Sequence, residues 1–79
     1  MKQLPSLKAK EVVRILKKLN FEEERQKGSH LIMFNPVSKR RTIIPIHCGR
    51  DIKKPLLKKI IEEDAGLTIE EFLNFLYKS

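Results

Sequence analysis

The stretch Arg25-Gln-Lys-Gly-Ser-His30 puts an imidazole directly after a small-residue turn and two cationic side chains. An imidazole changes protonation near neutral pH, so it can take or give a proton in a reaction run there. RNA cleavage asks for little more, because the substrate carries its own nucleophile, the ribose 2′-hydroxyl. A protein that cuts RNA has to move protons, hold the chain in line and stabilise charge on phosphorus. His30 is the candidate for proton transfer, with Arg25 and Lys27 to hold phosphate. Gly28 lets the backbone come close to a ligand, and Gly28 and Ser29 of the turn are RNA-binding candidates beside the two cations. One positioned proton-transfer group contributes on the order of 10²–10⁴-fold, which predicts a modest ribonuclease.

Other hydrolytic chemistries fit the residues less well. Two-metal phosphodiester cleavage needs clustered carboxylates, whereas eight of the ten acids here fall in Glu22-Glu23-Glu24 and between Glu62 and Glu71, where solvent faces are expected. Ser29 is a poor nucleophile for His30, because neighbours on a strand point to opposite faces. The one cysteine, Cys48, can form no internal disulfide and has no metal-ligand cluster around it, so a free thiol in a reduced compartment is expected. No metal or small-molecule cofactor is called for. His47 could come near His30 as a second proton-transfer group, or bind or support structure. A second functional reading stays open at this point, a non-catalytic RNA-binding module in which His30 is only a contact.

Charge points to the same class of ligand. The chain of 79 residues carries a net charge of +7, and it is unevenly placed. Between Arg25 and Lys59 stand ten Lys or Arg against Asp51 alone, so that segment holds the whole excess. Such a segment is an electrostatic footprint for a polyanion, nucleic acid first and an acidic protein second. A membrane surface is disfavoured, because no basic amphipathic helix presents Trp or several Phe on its apolar face. The N-terminus lacks the apolar stretch of a signal peptide, and no segment is long enough to span a bilayer, so a cytoplasmic location is expected.

The elements that must position these residues follow from periodicity. One domain over residues 1–79 is expected, and a domain this small buries only roughly 60% of its unfolded surface. Ser6 is a candidate N-cap, and Ala9, Val12, Val13, Leu16 and Leu19 recur at helical spacing before Asn20 closes the helix. The polar run from Phe21 to Gln26 suits an exposed edge strand. The run from His30 to Asn35, apolar on both faces, suits a central strand that is covered on one side and meets a ligand or partner on the other. The run from Arg41 to Ile46 is β-branched but holds Pro45, which favours an edge. Short connections make these strands an antiparallel meander. Pro55 is placed to begin a second helix along Leu56, Leu57, Ile60, Ile61 and Asp64-Ala65, and Gly66 ends it. Thr68 and Glu71 form a capping box for a short last helix with Phe72, Leu73 and Leu76. The prediction is an α+β fold, α-β-β-β-α, with a three-stranded antiparallel sheet, helices on one face and a short C-terminal helix. Phe21, Phe34, Phe72 and Phe75 read as core or partner contacts.

Taken together, KGSH at the central strand, the basic turn, TIIPIH, the charged loop and the ending DAGLTIEEFL resemble the HicA toxin family over roughly Ser6 to Leu73. The resemblance implies a double-stranded-RNA-binding-domain-like fold and an mRNA interferase neutralised by a HicB-type antitoxin protein. It also implies that His30 corresponds to the family's catalytic histidine. In such a fold, Lys39, Arg40 and Arg41 in one turn, and Arg50, Lys53 and Lys54 leading into the second helix, would grip RNA phosphates by shape. The free amides of that helix start would add to the grip. KKPLLKK departs from the family, where Gly-Thr-Leu is common, so any Thr contact made there would be missing.

Overall fold

The computed structural model describes residues 4–47 and 49–78, the last as backbone only, so the expectation for Cys48 lies outside the described residues. Its elements run α1 (Ala9–Lys18), β1 (Glu22–Lys27), β2 (His30–Phe34), β3 (Arg41–Pro45), α2 (Lys54–Lys59), a π-helical turn (Ile60–Asp64) and α3 (Ile69–Lys78). The strands form an antiparallel sheet in the order β1-β2-β3, with β2 in the middle as its two-sided apolar pattern requires. The α-β-β-β-α order and the extra C-terminal helix are those expected. Among the described residues, no helix is long and apolar enough to cross a membrane.

The pleat sorts the sheet into two faces. Leu31, Met33, Thr42 and Ile44 point inward and are buried with Val12, Ile15 and Leu16 of α1, Leu57, Ile60, Ile61 and Phe72. Burying side chains of this size contributes about 1.5–3 kcal/mol each, so the helical layer is anchored on that face. The other face is open. It presents three cross-strand rows, Lys27-His30-Pro45, Arg25-Ile32-Ile43 and Glu22-Phe34-Arg41. Ile43, a large β-branched side chain, remains 51% exposed there.

Local chemistry explains most boundaries. At the end of α1, Asn20 takes a left-handed φ of 77°. The Phe21 N–H then donates to the Leu16 carbonyl at 3.0 Å and the Asn20 N–H to that of Lys17 at 3.3 Å, which satisfies two carbonyls of the last turn. Asn35, buried at the end of β2, accepts the Val37 and Ser38 N–H groups and donates to the Leu19 carbonyl, so it shapes the β2–β3 turn and ties it to α1. The capping box of α3 is present in both directions, Glu71 N–H to Thr68 Oγ1 at 3.0 Å and Thr68 N–H to Glu71 Oε1 at 2.9 Å.

Two helix starts differ from expectation. Ser6 does not cap α1. The Ile52 N–H donates to the Leu7 carbonyl and Lys8 bridges Asp51, which keeps the chain extended through Lys8, the actual N-cap. Glu11 supplies the cap instead, its carboxylate accepting the Lys8 N–H at 3.2 Å. Pro55 is the second rather than the first residue of α2, after Lys53 at the N-cap. Its missing N–H is harmless at either position, because the amides of the first turn have no partner within the helix.

Candidate active site

The β1–β2 connection is a two-residue hairpin loop with Gly28 first. Gly28 has φ 62°, and a Cβ there would meet nothing within 4 Å. Glycine is needed for its backbone angle and not for space. The Gln26 side chain donates to the Gly28 carbonyl at 3.1 Å and steadies the turn. It delivers His30 as the first residue of β2, exposed on the open face between Lys27 of β1 and Pro45 of β3. Arg25 shares that face one row along. Beyond β3, the Ile46 N–H donates to the Ser29 carbonyl at 2.6 Å, which brings the chain leading into His47 to the same end of the sheet. His47 is exposed, and its carbonyl accepts the Arg50 N–H at 3.1 Å. Lys27, Gly28, Ser29, His30 and His47 are thus gathered at one end, with Arg25 in the middle row of the same face.

The residues of the second basic turn stand at the opposite end of β2, and their side chains diverge. Lys39 is exposed at a left-handed position, φ 64°. Arg40 turns toward the helical layer, where its Nη1 donates to the Glu63 carbonyl at 3.1 Å. It packs so closely that a Cβ on Gly66 would come within 2.8 Å of its Cζ. Arg41 lies over the Phe34 ring, Cζ 4.7 Å from the centroid, and forms a fork with Glu24, Nε to Oε1 at 2.9 Å and Nη2 to Oε2 at 3.1 Å. The register of β1 shifts between Glu23 and Arg25, and Glu24 at that irregularity spans the central strand to reach Arg41. The hydrogen bonds from Arg41 hold the Glu24 carboxyl below its ordinary value; loss of solvation opposes them, and the Arg41 and Arg25 charges reinforce them. The same pairing raises the pKa of Arg41.

A cleft of about 370 Å³ opens between β3 and α2. His30, Ile43 and Pro45 line it from the open face, with Arg41 at the side, and Leu56 and Lys59 line it from α2. Thr42 and Asp64 complete it, the Thr42 hydroxyl donating to Asp64 Oδ2 at 2.8 Å. Lys59 Nζ stands 3.4 Å from Asp64 Oδ1. Side chains five apart do not face each other on an α-helix. They meet here because the chain widens at Ile60–Asp64, where the Ala65 N–H reaches back to the Ile60 carbonyl. Lys53 and Lys54, both exposed, begin the same helix.

The cleft's far wall was absent from the sequence-based candidates. One signal was present: Asp64 is an acid on the otherwise apolar stripe of the second helix. Leu56, on that stripe, is also 37% exposed and belongs to the cleft rather than the core. Among the described residues, no group of three or more His, Cys, Asp or Glu is placed to hold a metal ion.

No curated protein matches the chain. A comparison with protein families matches residues 9–67, from the first residue of α1 to just short of the capping box, to the HicA toxin of bacterial toxin-antitoxin systems. That span holds all three strands, the His30 turn and every residue of the cleft. The chain therefore belongs to the HicA family, toxins of toxin-antitoxin systems whose partner is an antitoxin.

Proposed function

We propose that this toxin is an mRNA interferase, an endoribonuclease that uses His30 to cut mRNA and so blocks translation. The observation that carries the reading is the placement of His30. It is exposed on the open sheet face, in one row with Lys27, and it lines a cleft. The ribose 2′-oxygen attacks the adjacent phosphorus, a 2′-O–P bond forms and the P–O5′ bond breaks. The 2′-hydroxyl loses its proton, the 5′-oxygen gains one, and a cyclic phosphate and a 5′-hydroxyl end result. His30 is the group that moves one of these protons. Lys27 and Arg25 hold phosphate oxygens, and the Gly28-Ser29 turn lets the RNA backbone approach. Among the other basic residues, Lys39, Arg50, Lys53 and Lys54 take backbone phosphates further along the chain. The antitoxin, of HicB type, covers the open face, its acidic groups meeting the basic rows and its apolar groups meeting Ile32 and Ile43.

The experiment is RNA cleavage in EDTA by wild type and His30→Ala, with RNA binding measured on the same samples. Wild type cuts, and the variant loses about 10²-fold or more of the rate while it still binds. Binding alone cannot decide, since any protein gripping phosphates shows steep salt dependence. If both proteins bind and neither cuts, the chain is an RNA-binding module and His30 a contact. If both cut equally, another group transfers the proton, and His47 is the residue to change.

A further inference from the structure

The geometry points to a base-reading subsite beside His30, the cleft between β3 and α2, which takes one nucleotide of a single-stranded RNA next to the cut phosphate. It prefers a base with an exocyclic amine. This rests on the ribonuclease reading above and adds to it a place where sequence is read.

Three features converge. The cleft, about 370 Å³, falls within the range of roughly 300–1,000 Å³ typical of small-molecule sites. Its walls offer Ile43 and Pro45 on one side and Leu56 on the other, apolar surfaces between which an unstacked base can lie flat. Ile43 and Leu56 are both partly open to solvent, so a base laid there removes apolar surface from water at both faces.

The polar end is as specific. Asp64 is mostly buried, its side chain 21% exposed, and accepts from Thr42 and Lys59. An ionised carboxylate has about four acceptor positions, so it can take further N–H donors. Adenine, cytosine and guanine each carry an exocyclic amine for such an acceptor; uracil offers only its N3–H, flanked by two carbonyl oxygens that the carboxylate repels. Lys59 meets Asp64 through one long contact of 3.4 Å, unlike the two-bond fork on Arg41, and its side chain is half exposed, so its ammonium keeps donors for the nucleotide's phosphate. The π-helical turn is what brings the pair together, and such turns are frequent at functional sites because they cost regular hydrogen bonding. His30 lines the same cleft, so a base seated there places its own sugar-phosphate linkage beside the imidazole. Single-stranded RNA is read in this way, by splayed bases held on their faces and hydrogen-bonded at their edges.

The test uses single-stranded RNAs of constant sequence with one cleavable ribose, the base on either side of it varied among A, C, G and U. Cleavage and equilibrium binding are both read, for wild type, Asp64→Asn and Lys59→Ala. Wild type favours an amine-bearing base over uracil by about tenfold at one of the two positions. Asp64→Asn keeps its carbonyl oxygen for Thr42 and puts an NH2 donor in place of the second oxygen, which repels a base amine, and the preference collapses toward unity. Lys59→Ala, a change at an exposed side chain, weakens all four RNAs alike and lowers the salt slope by about 0.7. Equal treatment of all four bases by wild type, or a full preference surviving in Asp64→Asn, overturns the subsite while cleavage itself keeps the ribonuclease. Base-dependent binding abolished by Asp64→Asn, with no cleavage, keeps the subsite and removes the ribonuclease.

Discussion

The two ends of the open sheet face have the same kind of composition and opposite engagement. At the His30 end, Lys27 and the imidazole are exposed and stand in one row beside a turn that leaves room for a ligand. At the far end, roughly 13 Å along β2 at the rise of a strand, Arg41 is locked to Glu24 across Phe34, and Arg40 is turned away to the Glu63 carbonyl. A basic run in a sequence is therefore not one phosphate-binding unit. A guanidinium already held in a fork by a carboxylate must give up those hydrogen bonds before it can hold phosphate. Four substitutions break or sharpen this contrast.

The largest effect is expected from comparing Lys27→Ala with Arg41→Ala. Lys27→Ala removes a free cation from the row of His30, and RNA cleavage falls by about tenfold, the worth of one hydrogen bond to a charged group. The salt slope of RNA binding falls by about 0.7, the share of one phosphate contact on a single strand. Arg41→Ala changes both quantities much less, because its charge is already met by Glu24. Salt titrations of binding on the two variants decide the matter. Equal slopes in both would show that RNA displaces Glu24 without difficulty and that the two ends are alike.

Arg40→Ala probes the helix-facing arm of the same turn. Its guanidinium satisfies a carbonyl at the end of the π-helical turn and packs over Gly66, so its loss costs about 1 kcal/mol of stability. Denaturant unfolding measures that cost, while the RNA salt slope stays at the wild-type value. A reduced slope with unchanged stability would return Arg40 to the phosphate-binding residues.

The parts of this picture that were legible in the sequence rest on local rules. Asn20 in a left-handed position, the two-sided apolar β2, Pro45 at an edge and the Thr68–Glu71 box each depend on a few neighbouring residues. What could not be read depends on partners far away along the chain. The start of α1 is set by Asp51 and Ile52, which hold Leu7 and Lys8 extended, so a serine with good capping chemistry goes unused. Arg41 meets an acid 17 residues before it only because β1 is irregular at Glu24. The turn and His30 were visible because a histidine after a glycine turn is a local pattern. The cleft's far wall was not, because Leu56, Lys59 and Asp64 fit an ordinary amphipathic helix until one turn widens.

The smallest and most diagnostic change is Glu24→Gln, which should make the far end resemble the near one. It removes the charge that holds Arg41, so the salt slope of RNA binding should rise by up to about 0.7 as Arg41 becomes available. The cost in stability is small, because the pair is at the surface and screened by salt. Its sign with pH follows from the direction of the shift. Glu24 has its carboxyl held below the ordinary 4.5, so its stabilising effect is fully present above that value and is lost as pH falls through the lowered one. Melts of wild type and Glu24→Gln should therefore differ slightly at neutral pH and converge in acid, the other carboxylates cancelling in the difference. A gap that stays constant into acid would show that the ion pair is not what the variant removes. A slope that does not rise would show that Phe34, and not Glu24, is what keeps Arg41 from RNA.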